Sequence, residues 1–198
     1  RKVALVSVQG YEPLLPESWP TTRAVLEKAR SLGVRTALVT NGTHLAERVD
    51  ELIALDLGGI TVSLDADQAD HHDHTRRTEG AFNQTIAGIR RAAESSLRDV
   101  LIVASVLQRG RAHYLEGMPQ FLASFGLRFW VVTPVYKAGS RSDQVTVEPP
   151  ADVVRALTGL YRSALSNGVS MLVDDEFDAL IRNAGEAIDL VKLRLRRL

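Results

Sequence analysis

The sequence predicts an α/β fold built on parallel strands, and three observations support that class. Short apolar, β-branched runs alternate with segments of helical periodicity along most of the chain. The connections between them are short, and strict strand–helix alternation of this kind implies parallel pairing with right-handed crossovers. The apolar runs also stop abruptly in polar turns. Val3 to Val8 ends in Gly10-Tyr11-Glu12-Pro13, Ala37 to Val39 in Thr40-Asn41-Gly42-Thr43, and Ile60 to Val62 in Ser63-Leu64-Asp65. Polar turns at the carboxyl ends of parallel strands are where such folds bind ligands. Length and unit count suit either an incomplete barrel or an open doubly wound sheet, and periodicity alone does not separate the two.

The first run reads as a strand buried on both faces. After a Pro-punctuated loop, Thr21 or Thr22 is an expected N-cap for a helix to Leu32, with Val25, Leu26, Ala29 and Leu32 inward. Gly33 stops that helix, and a second strand runs from Val34 to Thr40. A helix follows over Leu45 to Leu55, with Leu45, Val49, Leu52 and Ile53 at helical spacing, then a third strand from Ile60 to Leu64. Asp65 to Glu79 is polar and irregular and reads as a long rim loop. Then come a helix over Phe82 to Glu94, a strand over Val100 to Leu107, a helix over His113 to Phe125 and a strand over Leu127 to Thr133. Ala138 to Gln144 reads as a loop, Ala151 to Ser166 as a helix, Val169 to Val173 as a sixth strand, and Asp174 to Leu198 as a helical tail. Residues 1–147 are expected to form the main unit, with 148–198 supplying a last helix–strand pair and the tail.

Bulk composition narrows the function. The 198 residues carry no net charge, which argues against broad electrostatic attraction to nucleic acid or to an anionic membrane. No apolar run approaches the roughly 18–20 residues that span a bilayer, and no signal peptide is visible, so a cytoplasmic protein is expected. There is no cysteine, which excludes disulfides and thiolate metal ligation within these residues.

Each polar tip has a plain reading beside a functional one. Glu12, flanked by Tyr11 and Pro13, could accept hydrogen bonds from a ligand ammonium or ribose hydroxyl, with Gly10 admitting the ligand to the backbone; it could equally be a rim glutamate in a Pro turn. Thr40-Asn41-Gly42-Thr43 has a structural reason to exist, since Asn-Gly supports positive φ and Thr43 can cap the next helix. Ser63 and Asp65 lie two apart on one side of a strand, which suits a polyhydroxylated ligand or a loop cap. His71-His72-Asp73-His74 has zinc-type ligands, but adjacent residues rarely converge on one ion, so a solvated loop is the better reading. Arg76 or Arg77 could grip a carboxylate.

Taken together and in this order, the tips are more specific. Gly-Tyr-Glu-Pro-Leu-Leu, Thr-Asn-Gly-Thr, Ser-Leu-Asp with His-Asp-x-x-Arg downstream, and Gly80-Ala81-Phe82 opening a helix resemble the core of radical S-adenosylmethionine (SAM) enzymes. The resemblance is greatest to the branch of peptide maturases, sulfatase-maturating enzymes and activating enzymes, and it covers roughly Val3 to Val135. It implies a partial (β/α)6 TIM-like barrel of parallel strands with its first βα unit missing, and SAM bound at the strand tips. Gly10, Glu12 and Pro13 fall on the family's Gly-Gly-Glu-Pro motif, which holds the SAM amino group; Tyr11 replaces its second glycine. Thr40 and Asn41 line the pocket beside it. Ser63 and Asp65 match contacts near the ribose and methionyl carboxylate, Arg76 matches the arginine of the His-Asp-x-x-Arg segment, and Arg77 stands where a glycine is usual. Thr133 and Val135 fall where adenine rests.

The resemblance further implies that an intact protein carries a [4Fe–4S] cluster on a CxxxCxxC segment and cleaves SAM reductively to a 5′-deoxyadenosyl radical for hydrogen abstraction. That segment is absent here, so the chain is expected to be a fragment unable to perform radical chemistry alone, with a cluster-free SAM- or ligand-binding module as the alternative. No catalytic acid or base is assigned. The expected partner is a small-molecule or peptide substrate, with no nucleic acid or membrane; the unpaired strand edge is expected either to lead to self-association or to be covered by the tail over Asp174 to Leu198.

Overall fold

The computed structural model describes residues 3–135 and 149–173. The elements run β1 (Leu5–Val8), α1 (Trp19–Ser31), β2 (Arg35–Thr40), α2 (Leu45–Leu55), β3 (Gly59–Ser63), α3 (Ala69–Arg76), α4 (Ala81–Ala93), β4 (Leu101–Leu107), α5 (Met118–Ser124), β5 (Phe129–Pro134), α6 (Pro150–Ser166) and β6 (Ser170–Val173). Short 3₁₀ turns over Ser96–Val100 and Ala112–Leu115 precede β4 and α5.

All strand pairs are parallel, in one 6-stranded sheet ordered β1-β2-β3-β4-β5-β6. Strictly sequential order is the winding of a (β/α) barrel. A doubly wound sheet would reverse its order at a switch point. Among the described residues β6 does not pair back to β1, so the barrel stays open.

Alternation along the strands sorts side chains onto two faces. Leu38, Ile60, Val62, Leu101, Val103, Trp130 and Val132 lie on the buried face and join one core with Leu26 of α1, Leu45, Val49 and Leu52 of α2, and Ile89 of α4. Ala37, Val39, Thr61, Ser63, Ala104, Val131 and Thr133 occupy the other face and are only half-buried. The register stacks Ser63, Ala104, Val131 and Leu172 side by side across β3 to β6. Ser63 and Ala104 are the small members of that row, at the end where the strand tips gather.

The structure corrects the sequence reading in several places. β1 is not buried on both faces: it is the edge of the described sheet, and Leu5 is 51% exposed. α1 begins at Trp19, ahead of Thr21 and Thr22. Pro20 is tolerated in the first turn, and the Trp19 N–H donates to the Leu15 carbonyl at 2.8 Å. Trp19, Thr22, Leu26 and Ala29 form its buried face, while Val25 and Leu32 are exposed beside the β1 edge. Residues 65–79 are not a continuous loop but contain α3. The helix expected over His113 to Phe125 is broken into the 3₁₀ turn and α5, where Pro119, in the first turn of α5, has no N–H to donate back to the preceding turn. The loop read at Ala138 to Gln144 and the tail read at Asp174 to Leu198 lie outside the described residues.

α2 and α4 pack closely over the core. At Gly88 a methyl group would lie 2.7 Å from Leu45 Cβ, 3.0 Å from the Gly42 carbonyl oxygen and 3.2 Å from the Ala46 nitrogen. At Gly42, with φ of +83°, it would meet Thr85 Cγ2 and Val62 Cγ1 at 2.8 Å. Two glycines thus seat the Thr40–Thr43 turn directly on α4.

Candidate functional site

Glu12 fastens the tip of β1 to the tip of β2. Its Oε1 accepts from the Thr40 hydroxyl at 2.5 Å and the Leu14 N–H at 3.1 Å, and its Oε2 accepts from the Asn41 N–H at 2.7 Å. Thr40 Oγ1 in turn accepts from the Gly42 N–H at 3.0 Å. Asn41 Oδ1 accepts from both the Thr43 N–H and hydroxyl, at 2.9 and 2.8 Å. Thr43 is therefore spent on the turn and does not cap α2, whose N-cap His44 makes no side-chain cap bond. Tyr11 is 91% exposed, and apart from the chain neighbours of Gly10 nothing lies within 4 Å of a methyl added at Gly10. Pro13 is buried behind Glu12 and holds the turn.

A second constellation forms at the tips of β3 and β4. Asp65 is 2% exposed. Its Oδ1 accepts from the Val106 N–H at 2.9 Å, and its Oδ2 lies 2.7 Å from Arg76 Nε. That Nε proton is not aimed at the carboxylate, so the pair is held by charge and not by a directed hydrogen bond. Val106 faces Thr133 in the β4–β5 register, and the Val135 N–H donates to the Leu107 carbonyl at 3.0 Å. Beneath this tip, Trp130 Nε1 donates to Ser105 Oγ at 2.8 Å and Ser105 Oγ donates to the Leu64 carbonyl.

α3 supplies the supports. The Asp65 N–H donates to His72 Nδ1 at 3.1 Å, and the imidazole is 1% exposed. Burial pushes His72 below its ordinary pKa of 6.5; Asp65 opposes that shift, Arg76 adds to it and Asp73 opposes it. Asp73 takes the Gly80 and Phe82 N–H groups at 2.7 Å each and so caps α4. Thr85 of α4 donates to the Asn41 carbonyl at 2.9 Å. The two constellations are therefore joined by a continuous route: Glu12, Asn41, Thr85, α4, Asp73, then His72 and Arg76 to Asp65.

The sequence reading singled out Glu12, Thr40, Asn41, Ser63, Asp65 and Arg76 and missed the joinery. His72, taken for part of a solvated loop, is buried. Asp73 was visible only as part of a motif, and Thr85 gave no local signal. The imidazoles of the histidine run diverge: His71 stacks on Tyr114 at 3.8 Å, His72 turns inward, and His74 Nε2 lies 2.9 Å from Arg111 Nη2. No group of three or more His, Cys, Asp or Glu able to hold a metal exists among the described residues. A cleft of about 580 Å³, lined by Leu107 and Leu160 and edged by Glu116, Asp152 and Arg155, includes none of the site residues read from the sequence.

An open parallel barrel with polar strand tips defines the class, a TIM-like α/β domain, a fold in which ligands bind at the carboxyl rim. Residues 1–111 match the Radical SAM superfamily, and the chain belongs to that family. It is 30% identical over 162 residues to the AdoMet-dependent heme synthase of Methanosarcina barkeri, covering 79% of this chain and 44% of that protein. It is 34% identical over 114 residues to GTP 3′,8-cyclase 1 of Mycobacterium tuberculosis, covering 56% of this chain and 31% of that one. The chain thus spans less than half the length of these relatives. Among solved structures, Streptococcus suis SuiB bound to its precursor peptide SuiA superposes with a TM-score of 0.71 at 14% identity, covering 96% of this chain and 44% of SuiB. The anSMEcpe protein with bound AdoMet superposes with a TM-score of 0.62 at 15% identity, covering 84% and 46%. These likenesses establish the shared fold.

Proposed function

We propose that these residues form the SAM-binding rim of a radical SAM enzyme of the peptide-maturase, sulfatase-maturase and activating-enzyme branch. The observation that carries the reading is the state of Glu12. An ionised carboxylate offers about four acceptor positions, and three here are taken by protein donors. The group is fixed in place with one position left for a ligand ammonium, a charge-assisted contact. Gly10 leaves the approach open, as does the outward-turned ring of Tyr11. Ser63 and the terminal nitrogens of Arg76 would hold the polar groups further along the ligand, and Thr133 and Val135 its flat base. Ala104, the small neighbour of Ser63 in the β3–β4 register, would leave room for the substrate.

SAM bound beside a [4Fe–4S] cluster supplies hydrogen abstraction from a substrate. The present residues contain no cysteine and so offer no thiolate to such a cluster. Their own work is to bind and orient SAM, shield it from water and hold its charges. The bound peptide of SuiB and the small-molecule names of the curated relatives support a peptide or small-molecule substrate. A cluster-free SAM-binding module is the second reading.

Calorimetric titration of SAM into the full-length, anaerobically reconstituted protein tests the first reading. Binding is expected, with Glu12→Ala weakening it at least tenfold; equal affinity of the two proteins overturns it. Reductive SAM cleavage in the same sample separates enzyme from module.

A further inference from the structure

We propose that His72 is a positioning residue of the SAM site: by accepting the Asp65 N–H it fixes the Asp65 carboxylate, and through it the place of Arg76. This rests on the reading that the rim binds SAM.

The need for such a residue follows from the strand tip. The Leu64 N–H still reaches the β4 ladder, donating to the Ala104 carbonyl at 2.8 Å, but the Asp65 N–H has passed its end. An N–H buried there without a partner is costly, and His72 Nδ1 supplies the acceptor at 3.1 Å. At 1% exposure, His72 shields that contact from bulk water. Because the amide can only donate, Nδ1 must be bare and the ring proton must sit on Nε2. An imidazolium would turn a second N–H toward the amide, and the contact would fail. The groups facing the ring are Asp65 from the β3 tip, Asp73 and Arg76 from its own helix, and the Phe82 ring of α4 at 6.0 Å.

Losing this bond does more than loosen one amide. Asp65 also holds the Val106 N–H and Arg76 Nε, so its displacement frees the guanidinium that would meet the ligand. The arrangement therefore works while His72 is neutral. Burial, which lowers the imidazole pKa, keeps it so at neutral pH.

The test compares wild type, His72→Asn and His72→Phe in the full-length protein. Asn places an acceptor near the Nδ1 position and does not titrate; Phe fills the volume and accepts nothing. Two quantities are read: exchange protection of the Asp65 amide, and SAM affinity between pH 5 and 8. The proposal expects His72→Phe to lose Asp65 protection and, as Arg76 leaves its place, roughly tenfold in SAM affinity, about one charge-assisted contact. His72→Asn should keep both, with no loss of affinity at acid pH where wild type weakens. His72→Phe within twofold of wild type, or His72→Asn sharing the wild-type acid loss, overturns it. If His72→Phe does not fold, the pH comparison of wild type with His72→Asn still decides. A wild type that binds no SAM while Asp65 protection follows the acceptor sinks the SAM reading and supports the positioning of Asp65.

Discussion

Replacing Gly88 by alanine sets two effects of opposite sign against each other. Alanine favours the interior of a helix over glycine by about 1 kcal/mol, so an open site would gain stability. Gly88 is not open. The new methyl would sit 2.7 Å from Leu45 Cβ, 3.0 Å from the Gly42 carbonyl oxygen and 3.2 Å from the Ala46 nitrogen. Two of those atoms are backbone and cannot rotate away, so α4 must retreat from α2. Overpacking of this kind costs about 1–3 kcal/mol, and retreat also stretches the 2.9 Å bond from Thr85 to the Asn41 carbonyl. The clash wins, and Gly88→Ala is expected to lose about 2 kcal/mol net of the helix gain. Urea unfolding followed by circular dichroism reads this as a lower midpoint at unchanged slope. Because the Gly42 turn moves with α4, SAM affinity should fall too. A variant as stable as wild type, or more so, would refute the packing inferred between the two helices.

Three further outcomes are expected. Arg77, at φ +55°, sits in the left-handed region at the end of α3; Arg77→Gly should raise stability by about 0.5–1 kcal/mol in urea unfolding, and a loss would contradict the strain. Asp73→Ala removes the cap from two α4 N–H groups and should cost about 1–2 kcal/mol, visible as a lower melting temperature, with Asp73→Asn costing less. His72 has a folded pKa below its unfolded 6.5, so its contribution is complete above pH 6.5 and is lost as pH falls through the folded value. Wild-type stability should thus decline on acidification by up to about 1.4 kcal/mol per pH unit, less steeply in His72→Asn, and identical slopes would remove His72 as the cause.

The order and type of most elements could be read from local pattern, because buried parallel strands and amphipathic helices each leave a periodicity. α2 was read at its observed bounds, Leu45–Leu55. What escaped depended on tertiary contact. α3 is short and strongly polar and buries only His72, so no apolar stripe marked it. The exposure of Val25, Leu32 and β1 follows from their place at a sheet edge, which periodicity does not report. Within the site, Glu12, Thr40, Asn41, Ser63, Asp65 and Arg76 were legible as polar residues at strand ends, and the structure joins Glu12 to the β2 tip and Asp65 to Arg76. It was not legible that Asp65 would be buried and shared between Val106 and Arg76, because that requires β4 and α3 to arrive together. The role of Arg77 was half visible: a residue standing where glycine is usual proves to have glycine's backbone conformation.

The central claim is that Glu12 holds one acceptor position in reserve for the ammonium of SAM. The most direct measurement pairs wild type and Glu12→Gln with SAM and with its deaminated analogue, by equilibrium titration. Wild type should prefer SAM over the analogue at least tenfold, and Glu12→Gln should lose most of that preference. An undiminished preference in Glu12→Gln would place the ammonium elsewhere and contradict the account.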